Sequence, residues 1–267
     1  MSDLTITFLG SGTSHGIPMI GCDCPVCHSS DPRDKRLRTS IAIEQPSGPP
    51  TDGRVILIDT PPEFRLAALA NNLRRVDAIL FTHSHADHVV GLDDIRRFNE
   101  MAGRQIPAYG DPASLAVIRR CFPYLDRPYM GDGWPSIAFN PIDKPTEVCG
   151  VTVTPVPLMH GRQQILGYRI GDFAYCTDCS AIPSSSADLL AGLDVLILDG
   201  LRITPHPTHF NLEQALTAAK MLKPRRTFLT HIAHQISHAA VSAKLPPGVA
   251  LAYDGLKVVS GLKTRTA

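Results

Sequence analysis

Three imidazoles and a carboxylate fall within six residues in the run Thr82-His83-Ser84-His85-Ala86-Asp87-His88, directly after the apolar, strand-like Ala78–Phe81. Residues two apart in an extended chain face the same way, so His83 and His85 can reach one cation from a strand end. Asp87 and His88 lie beyond a turn of the chain and suit a second cation close by. Two cations roughly 3.5–4 Å apart are a standard hydrolytic device that clamps the attacking and leaving oxygens. The run therefore predicts the core of a two-metal site. A His-rich surface loop is the alternative, but a stray tract has no reason to end a buried strand.

Four more potential ligands sit just after plausible strands: His160 after Val151–Val156, Asp178 after Phe173–Cys176, His231 after Thr227–Leu229, and His234 beside it. Strand-end loops are where a rigid sheet presents functional groups. The order His-x-His-x-Asp-His, His, Asp, His resembles that of the metallo-β-lactamase superfamily over nearly the whole chain. The resemblance implies that one metal takes His83, His85 and His160, that the other takes Asp87, His88 and His231, and that Asp178 bridges them. Asp59, closing the apolar Val55–Ile58, matches the family's early aspartate, which supports the metal loop from behind by orienting imidazoles. Mixed histidine and carboxylate ligands accept zinc, manganese and iron, so the metals of the catalytic pair stay open among these.

A second cluster, Cys22-Asp23-Cys24-Pro25-Val26-Cys27 followed by His28, puts three cysteines within six residues and makes a thiolate half-cage for a structural zinc. A disulfide is the weaker reading. Met1-Ser2-Asp3 runs directly into the strand-like Leu4–Phe8, so no secretory signal is visible and the expectation is a cytoplasmic chain with reduced thiols. His28 is the nearest fourth ligand in sequence, but it would have to bend back sharply. The segment Thr230-His231-Ile232-Ala233-His234 resembles a subgroup containing the phosphoribosyl cyclic phosphodiesterase of bacterial phosphonate degradation, and that resemblance assigns the fourth position to His234. Cys121, Cys149, Cys176 and Cys179 are expected in or near the core.

His209 lies just before a helix pattern that runs from Asn211 to Leu222. Such a place suits an anion, because unpaired amides point outward there. The same resemblance implies that His209 is a general acid or a phosphate contact; the alternative is that it merely caps the helix and that His206 is surface. Asp87 and His209 are thus the candidate catalytic side chains. Two cations would lower the pKa of a bound water toward about 7 and polarise the phosphoryl oxygens, and His209 would protonate the departing alkoxide. The glycine-rich Gly10–Gly16 could bring amides to the substrate, but it lacks the lysine of a nucleotide-binding P-loop and a tight turn needs glycine anyway.

With 267 residues, 43% hydrophobic content and a net charge of +1, the chain can bury a sizeable core unaided. The near-neutral balance argues against broad nucleic-acid binding, and no apolar run approaches the length of about 18 residues that a membrane span needs. Arg33, Lys35, Arg36 and Arg38 form a local basic cluster that reads first as a solvated loop. Strands are expected at Leu4–Leu9, Ser40–Glu44, Val55–Asp59 and Ala78–Thr82, followed by a helical middle. A second β-rich set then covers Val151–Val156, Gly167–Ile170, Phe173–Cys176, Val195–Leu198 and Thr227–Leu229. Helices are expected at Glu63–Asn71, Pro112–Arg120, Pro183–Ala191 and Asn211–Leu222. This halved pattern fits two sheets packed face to face with helices outside, and the resemblance names it: an α/β (α+β) protein, a four-layer αββα sandwich in one domain over residues 1–267, metals at the shared edge. Gln45–Gly53 reads as a hairpin loop, and Phe122–Pro145, with Tyr124, Tyr129 and Trp134, as an irregular flap bordering the pocket, its aromatics more often anchors than stacking platforms.

The expected function is a metal-dependent phosphodiesterase acting on a small cyclic phosphodiester or nucleotide-like ester. Rivals are a thioesterase, a tRNA 3′-processing ribonuclease, a lactamase, or a non-hydrolytic protein resembling the pyrroloquinoline quinone pathway's member. The ribonuclease usually carries a glycine-rich, basic arm that is not apparent here, and the last rival generally departs from the full ligand set retained here. The resemblance admits a homodimer.

Overall fold

The computed structural model describes residues 3–48 and 53–261. Its first sheet begins with β1 (Asp3–Gly10), whose Leu4, Ile6 and Phe8 point inward, and continues through β2 (Ser40–Glu44) and β3 (Val55–Ile58). It goes on through β4 (Ala78–Leu80), β5 (Ile106–Gly110) and β6 (Ile137–Pro141). β1 to β3 pair antiparallel and β3 to β6 parallel. The second sheet comprises β7 (Thr146–Val148), β8 (Val151–His160), β9 (Gln163–Ile170), β10 (Phe173–Cys176), β11 (Val195–Asp199), β12 (Arg226–Thr230) and β13 (Val249–Leu251). It too is antiparallel up to β10 and parallel beyond. The last described strand, β14 (Lys257–Gly261), returns to the first sheet beside β1.

Strands buried on both faces carry near-continuous apolar runs, and Val55-Ile56-Leu57-Ile58 is such a run. Ile56 and Ile58 face the second sheet across a core that also holds Tyr168, Phe173 and Ile197. Leu57 faces outward onto α1 (Phe64–Ala70), which contributes Phe64 and Ala67. The short α2 (Ala86–Val89) adds Val89 to that outer layer, α3 (Arg96–Ala102) adds Phe98, and α4 (Pro112–Cys121) adds Leu115 and Ile118. Beyond the second sheet lie α5 (Ser184–Ala187), α6 (Leu212–Leu222) and α7 (His238–Ser242), with Ala215 and Ala218 of α6 against Leu196 and Leu198. Three apolar layers between four layers of elements make the αββα sandwich.

Several expectations are corrected. The flap is not wholly irregular: Ile137–Pro141 pairs parallel to β5, and only the stretch before it loops outward. Within that loop Tyr124 packs on the outer core and donates its hydroxyl to Asp93 at 2.9 Å, as an anchor does, while Trp134 stays half exposed against it. Arg36 is not solvated but 1% exposed, and Cys121 is exposed rather than near the core. Of the expected hairpin loop Gln45–Gly53, residues 49–52 lie outside the described residues. Among the described residues no helix is long and apolar enough to cross a membrane.

Candidate metal centre

Both sheets turn the carboxyl ends of their parallel strands toward one edge, the position where open α/β sheets bind ligands. Asp59 follows β3, His83 to His88 follow β4, Asp178 follows β10, Asp199 ends β11 and His231 follows β12, while His160 ends the antiparallel β8. Three of these, Asp59, Asp178 and His231, hold left-handed backbone with φ of 61°, 57° and 59°. Such conformations cost about 1–3 kcal/mol each in residues other than glycine and persist only where the surroundings impose them.

The side chains converge into two sets. His83, His85 and His160 form one, and Asp87, His88, Asp178 and His231 the other, with ligand atoms in each set within 4.8 Å of one another. Asp178 Oδ2 lies 3.2 Å from His88 Nε2, 3.3 Å from His231 Nε2 and 3.9 Å from His83 Nε2, so one carboxylate faces both sets. Every residue that the sequence placed at the two metals is here, including the divergence of Asp87 and His88 from His83 and His85.

Behind the ligands the ring tautomers are set. Thr82 Oγ1 donates to Asp59 Oδ2 at 2.8 Å and so accepts from His83 Nδ1 at 3.0 Å, which leaves His83 Nε2 bare. Asp59 Oδ2 also accepts from His88 Nδ1 at 2.7 Å, and the carbonyl of Asp178 accepts from His160 Nδ1 at 2.7 Å. These bonds turn the Nε2 lone pairs inward, the usual arrangement of metal-binding imidazoles. His83 Nε2 and His231 Nε2 are buried and make no hydrogen bond. Burial pulls His88 down, yet Asp178 and Asp59 outweigh it and hold the imidazole well above its ordinary pKa. The pocket thus demands a positive charge between its carboxylates, and bare nitrogen lone pairs beside a carboxylate fit a divalent cation.

His209 stands over this centre, stacked on His231 at 4.7 Å and 12° and edge-on to His160 at 4.7 Å. It does not cap α6: Asn211 does, in a capping box with Gln214. That box and the bond from Leu212 N–H to the Arg202 carbonyl occupy the amides of Asn211, Leu212 and Gln214, which leaves the helix terminus little to offer an anion. Much of the glycine-rich loop is structural. A Cβ on Gly10 would fall 2.0 Å from the Arg38 carbonyl, and Gly12, Thr13 and Gly16 spend their amides on backbone carbonyls.

Asp199 escaped the sequence reading. Its Oδ2 meets His209 Nδ1 at 2.7 Å, fully buried. Burial pushes Asp199 well above the usual carboxylate range and pulls His209 down, and with Nδ1 engaged by the carboxyl, Nε2 is the ring nitrogen left free. The available signal was its place, an aspartate closing the apolar Val195–Leu198 just as Asp59 closes Val55–Ile58.

The cysteine cluster closes on His234, whose Nδ1 lies 3.2 Å from Cys22 Sγ, 3.5 Å from Cys24 Sγ and 4.0 Å from Cys27 Sγ. His28 points away toward Asp23, its side chain 65% exposed. Three sulfurs and one nitrogen fit tetrahedral zinc. The Cys27 N–H, bonded to Cys24 Sγ at 3.4 Å, lowers Cys24 to about 6, whereas burial raises Cys27 to about 11. Thiolates are the nucleophiles, so in protein stripped of metal at pH 7 iodoacetamide is expected to label Cys24 before Cys27. Peptide mass mapping over time checks the order, and equal rates would contradict it.

Comparison with known proteins bears on this geometry. The family model described as the beta-lactamase superfamily domain matches residues 54–232, which hold both catalytic sets, Asp59, Asp199 and His209 but not the cysteine cluster or His234. A crystal structure of a diphosphatase of the PhnP family superposes with a TM-score of 0.87 at 43% identity, covering 96% of this chain and 97% of that one. An octanoyltransferase of Porphyromonas gingivalis is 38% identical over 255 residues, 94% of this chain. The chain spans only half of that relative's length, at 50%. The coenzyme PQQ synthesis protein B of Methylobacterium nodulans is 26% identical over 222 residues, 72% of this chain and 71% of that protein. With the sandwich, the converging ligand sets and a family match that spans both, the chain belongs to the metallo-β-lactamase superfamily of metal-dependent hydrolases.

Proposed function

We propose that this chain is a phosphodiesterase that hydrolyses a small cyclic phosphodiester or nucleotide-like phosphate ester, with Asp178 bridging the two metal sets and zinc in the cysteine cluster. The observation that carries this reading is the buried Asp199–His209 pair stacked over His231. An alkoxide leaving a phosphoryl centre needs a proton, and a donor beside the metal sets supplies it. A thiolate, whose parent thiol ionises near about 8.5, leaves without one. The pair would therefore be idle in a thioesterase. Manganese, zinc or iron, when bound, supplies a nucleophile from water at neutral pH and neutralises charge building on the phosphoryl oxygens.

This chain's own groups do the rest. His83, His88 and His160 arrive with their lone pairs already aimed, which removes reorganisation from the reaction. As His209 Nε2 gives up its proton, the one between Asp199 and His209 can pass to Nδ1, leaving a carboxylate paired with a neutral ring. Identity of 43% to a PhnP-family diphosphatase over nearly both chains supports chemistry at phosphorus. The octanoyltransferase shares only the half that this chain spans, so its acyl transfer carries less weight.

The test is the initial hydrolysis rate of bis-nitrophenyl phosphate by manganese-loaded protein, beside the monoester, an acyl-thioester and a β-lactam. Turnover of the diester alone is expected, and would be followed with ribose cyclic phosphates and cyclic nucleotides. Thioester turnover without diester turnover would reverse the assignment.

A further inference from the structure

Of the four buried histidines in the two metal sets, three have their rings fixed from behind, His83 by Thr82, His88 by Asp59 and His160 by the Asp178 carbonyl. His231 differs. It is 1% exposed and neither of its ring nitrogens makes a hydrogen bond. Metal-binding imidazoles ordinarily rely on such a bond for orientation, so His231 is aimed by its backbone, with the face of His209 alongside. That backbone is left-handed and must be held from outside.

Backbone bonds hold one side: Ile232 N–H donates to the Ser11 carbonyl at 2.9 Å and Ala233 N–H to the Leu201 carbonyl at 2.8 Å. The other side is held by Arg36. Its Nη1 donates to the Ala233 carbonyl at 3.4 Å, and its Nη2 to the Ile236 carbonyl at 2.8 Å and to Asp34 Oδ1 at 2.8 Å. Asp34 Oδ1 also accepts from His238 N–H at 2.8 Å, so the ion pair grips the segment at residues 233, 236 and 238. Both partners are buried, with side-chain exposures of 0% and 3%. A buried charge is tolerated only with its hydrogen bonds complete, and a planar guanidinium spans several acceptors at once where an ammonium cannot.

We propose that Arg36, paired with Asp34, is the positioning residue that aims His231 into the set formed with Asp87, His88 and Asp178, independently of what fills the cysteine cluster. This rests on reading those residues as metal ligands and not on the substrate. Although His234 lies only three residues from His231, the hydrogen bonds of the Arg36 side chain go to backbone carbonyls and to Asp34 and none to a cysteine.

The experiment measures zinc content and resistance to a chelator in the full chain and in Arg36→Lys, Asp34→Asn, Cys24→Ser and Leu115→Ala. Arg36→Lys is expected to release one zinc at about tenfold lower chelator concentration, the low end of what loss of an orienting partner costs, and to keep the other two. Asp34→Asn, which keeps an acceptor for His238 N–H, should release the same zinc with a smaller shift and covers the case in which the lysine variant fails to fold. Cys24→Ser should lose one zinc and leave the remaining two as resistant as before. Arg36→Lys should add nothing to His231→Ala. Wild-type resistance in both the Arg36 and Asp34 variants would overturn the proposal, as would equal release by Leu115→Ala, a destabilising change in the outer core under α4. Wild-type protein that binds zinc only at its cysteines would overturn the proposal together with the metal-set reading, a result told apart by the untouched chain.

Discussion

Replacing His209 with alanine is expected to lower turnover of an alkyl phosphodiester about 10²–10⁴-fold, the range that a positioned general acid contributes, while both metals of the catalytic pair stay bound. Retention follows because each of the two catalytic sets keeps at least three ligands without His209, although His209 also lies within ligand reach of His160 and Asp178 and of Asp199 and His231. The size of the effect follows from the buried Asp199–His209 pair, whose carboxyl occupies Nδ1 and leaves Nε2 as the ring nitrogen free to donate. The leaving group makes the test specific. Nitrophenolate is a stable anion and departs unprotonated, so His209→Ala should slow bis-nitrophenyl phosphate far less than a ribose cyclic phosphate. Equal loss on both substrates would show that His209 binds phosphate rather than donating a proton, and unchanged turnover on both would remove it from the reaction.

The ligands were legible in the sequence because their chemistry is written locally. His83, His85, Asp87 and His88 share one run, and His160, Asp178 and His231 each close a segment whose apolar pattern marks a strand. Position at a strand end then brings them together without further information, since the parallel strands of both sheets end at one edge. Arg36 shows the opposite case. The two carbonyl partners that tie it to the His231 segment lie 197 and 200 residues away, so the sequence displayed only a basic residue among other basic residues. Burial of a charge is a property of the tertiary arrangement, and composition cannot report it. Asp199 falls between these cases, at a strand end like the ligands but separated from His209 by a loop that reveals the pairing only when folded. Strand β6 was hidden by its setting, five residues behind a stretch rich in proline and glycine. At the helix terminus near His209, the capping box of Asn211 and Gln214 takes up amides that the helical pattern alone leaves free.

Asp178→Asn should have the larger consequence, loss of both catalytic metals and of all metal-dependent turnover, with zinc at the cysteines retained. The carboxylate faces nitrogens from His83, His88 and His231 at 3.2–3.9 Å, and an amide of the same shape would turn either a weaker oxygen or a repelling NH₂ toward them. The change also reaches stability in the metal-free protein. Burial raises the pKa of Asp178, but His231, His88 and His83 outweigh it and hold the carboxyl well below its ordinary value. A carboxylate depressed on folding stabilises the native state at pH above its unfolded pKa of about 3.9 and loses that contribution as pH falls through the folded value. Removing one partner from a buried charge pair costs about 3–5 kcal/mol. Metal-free Asp178→Asn should therefore unfold at markedly lower urea than metal-free wild type at pH 7, and the gap should narrow only below about pH 4, where the carboxyl of the unfolded wild-type chain begins to take up its proton while the native one still holds out. A gap independent of pH would mean that the asparagine disturbs packing instead. Retention of both catalytic metals by the variant would show that the two sets are filled independently, without a bridging carboxylate.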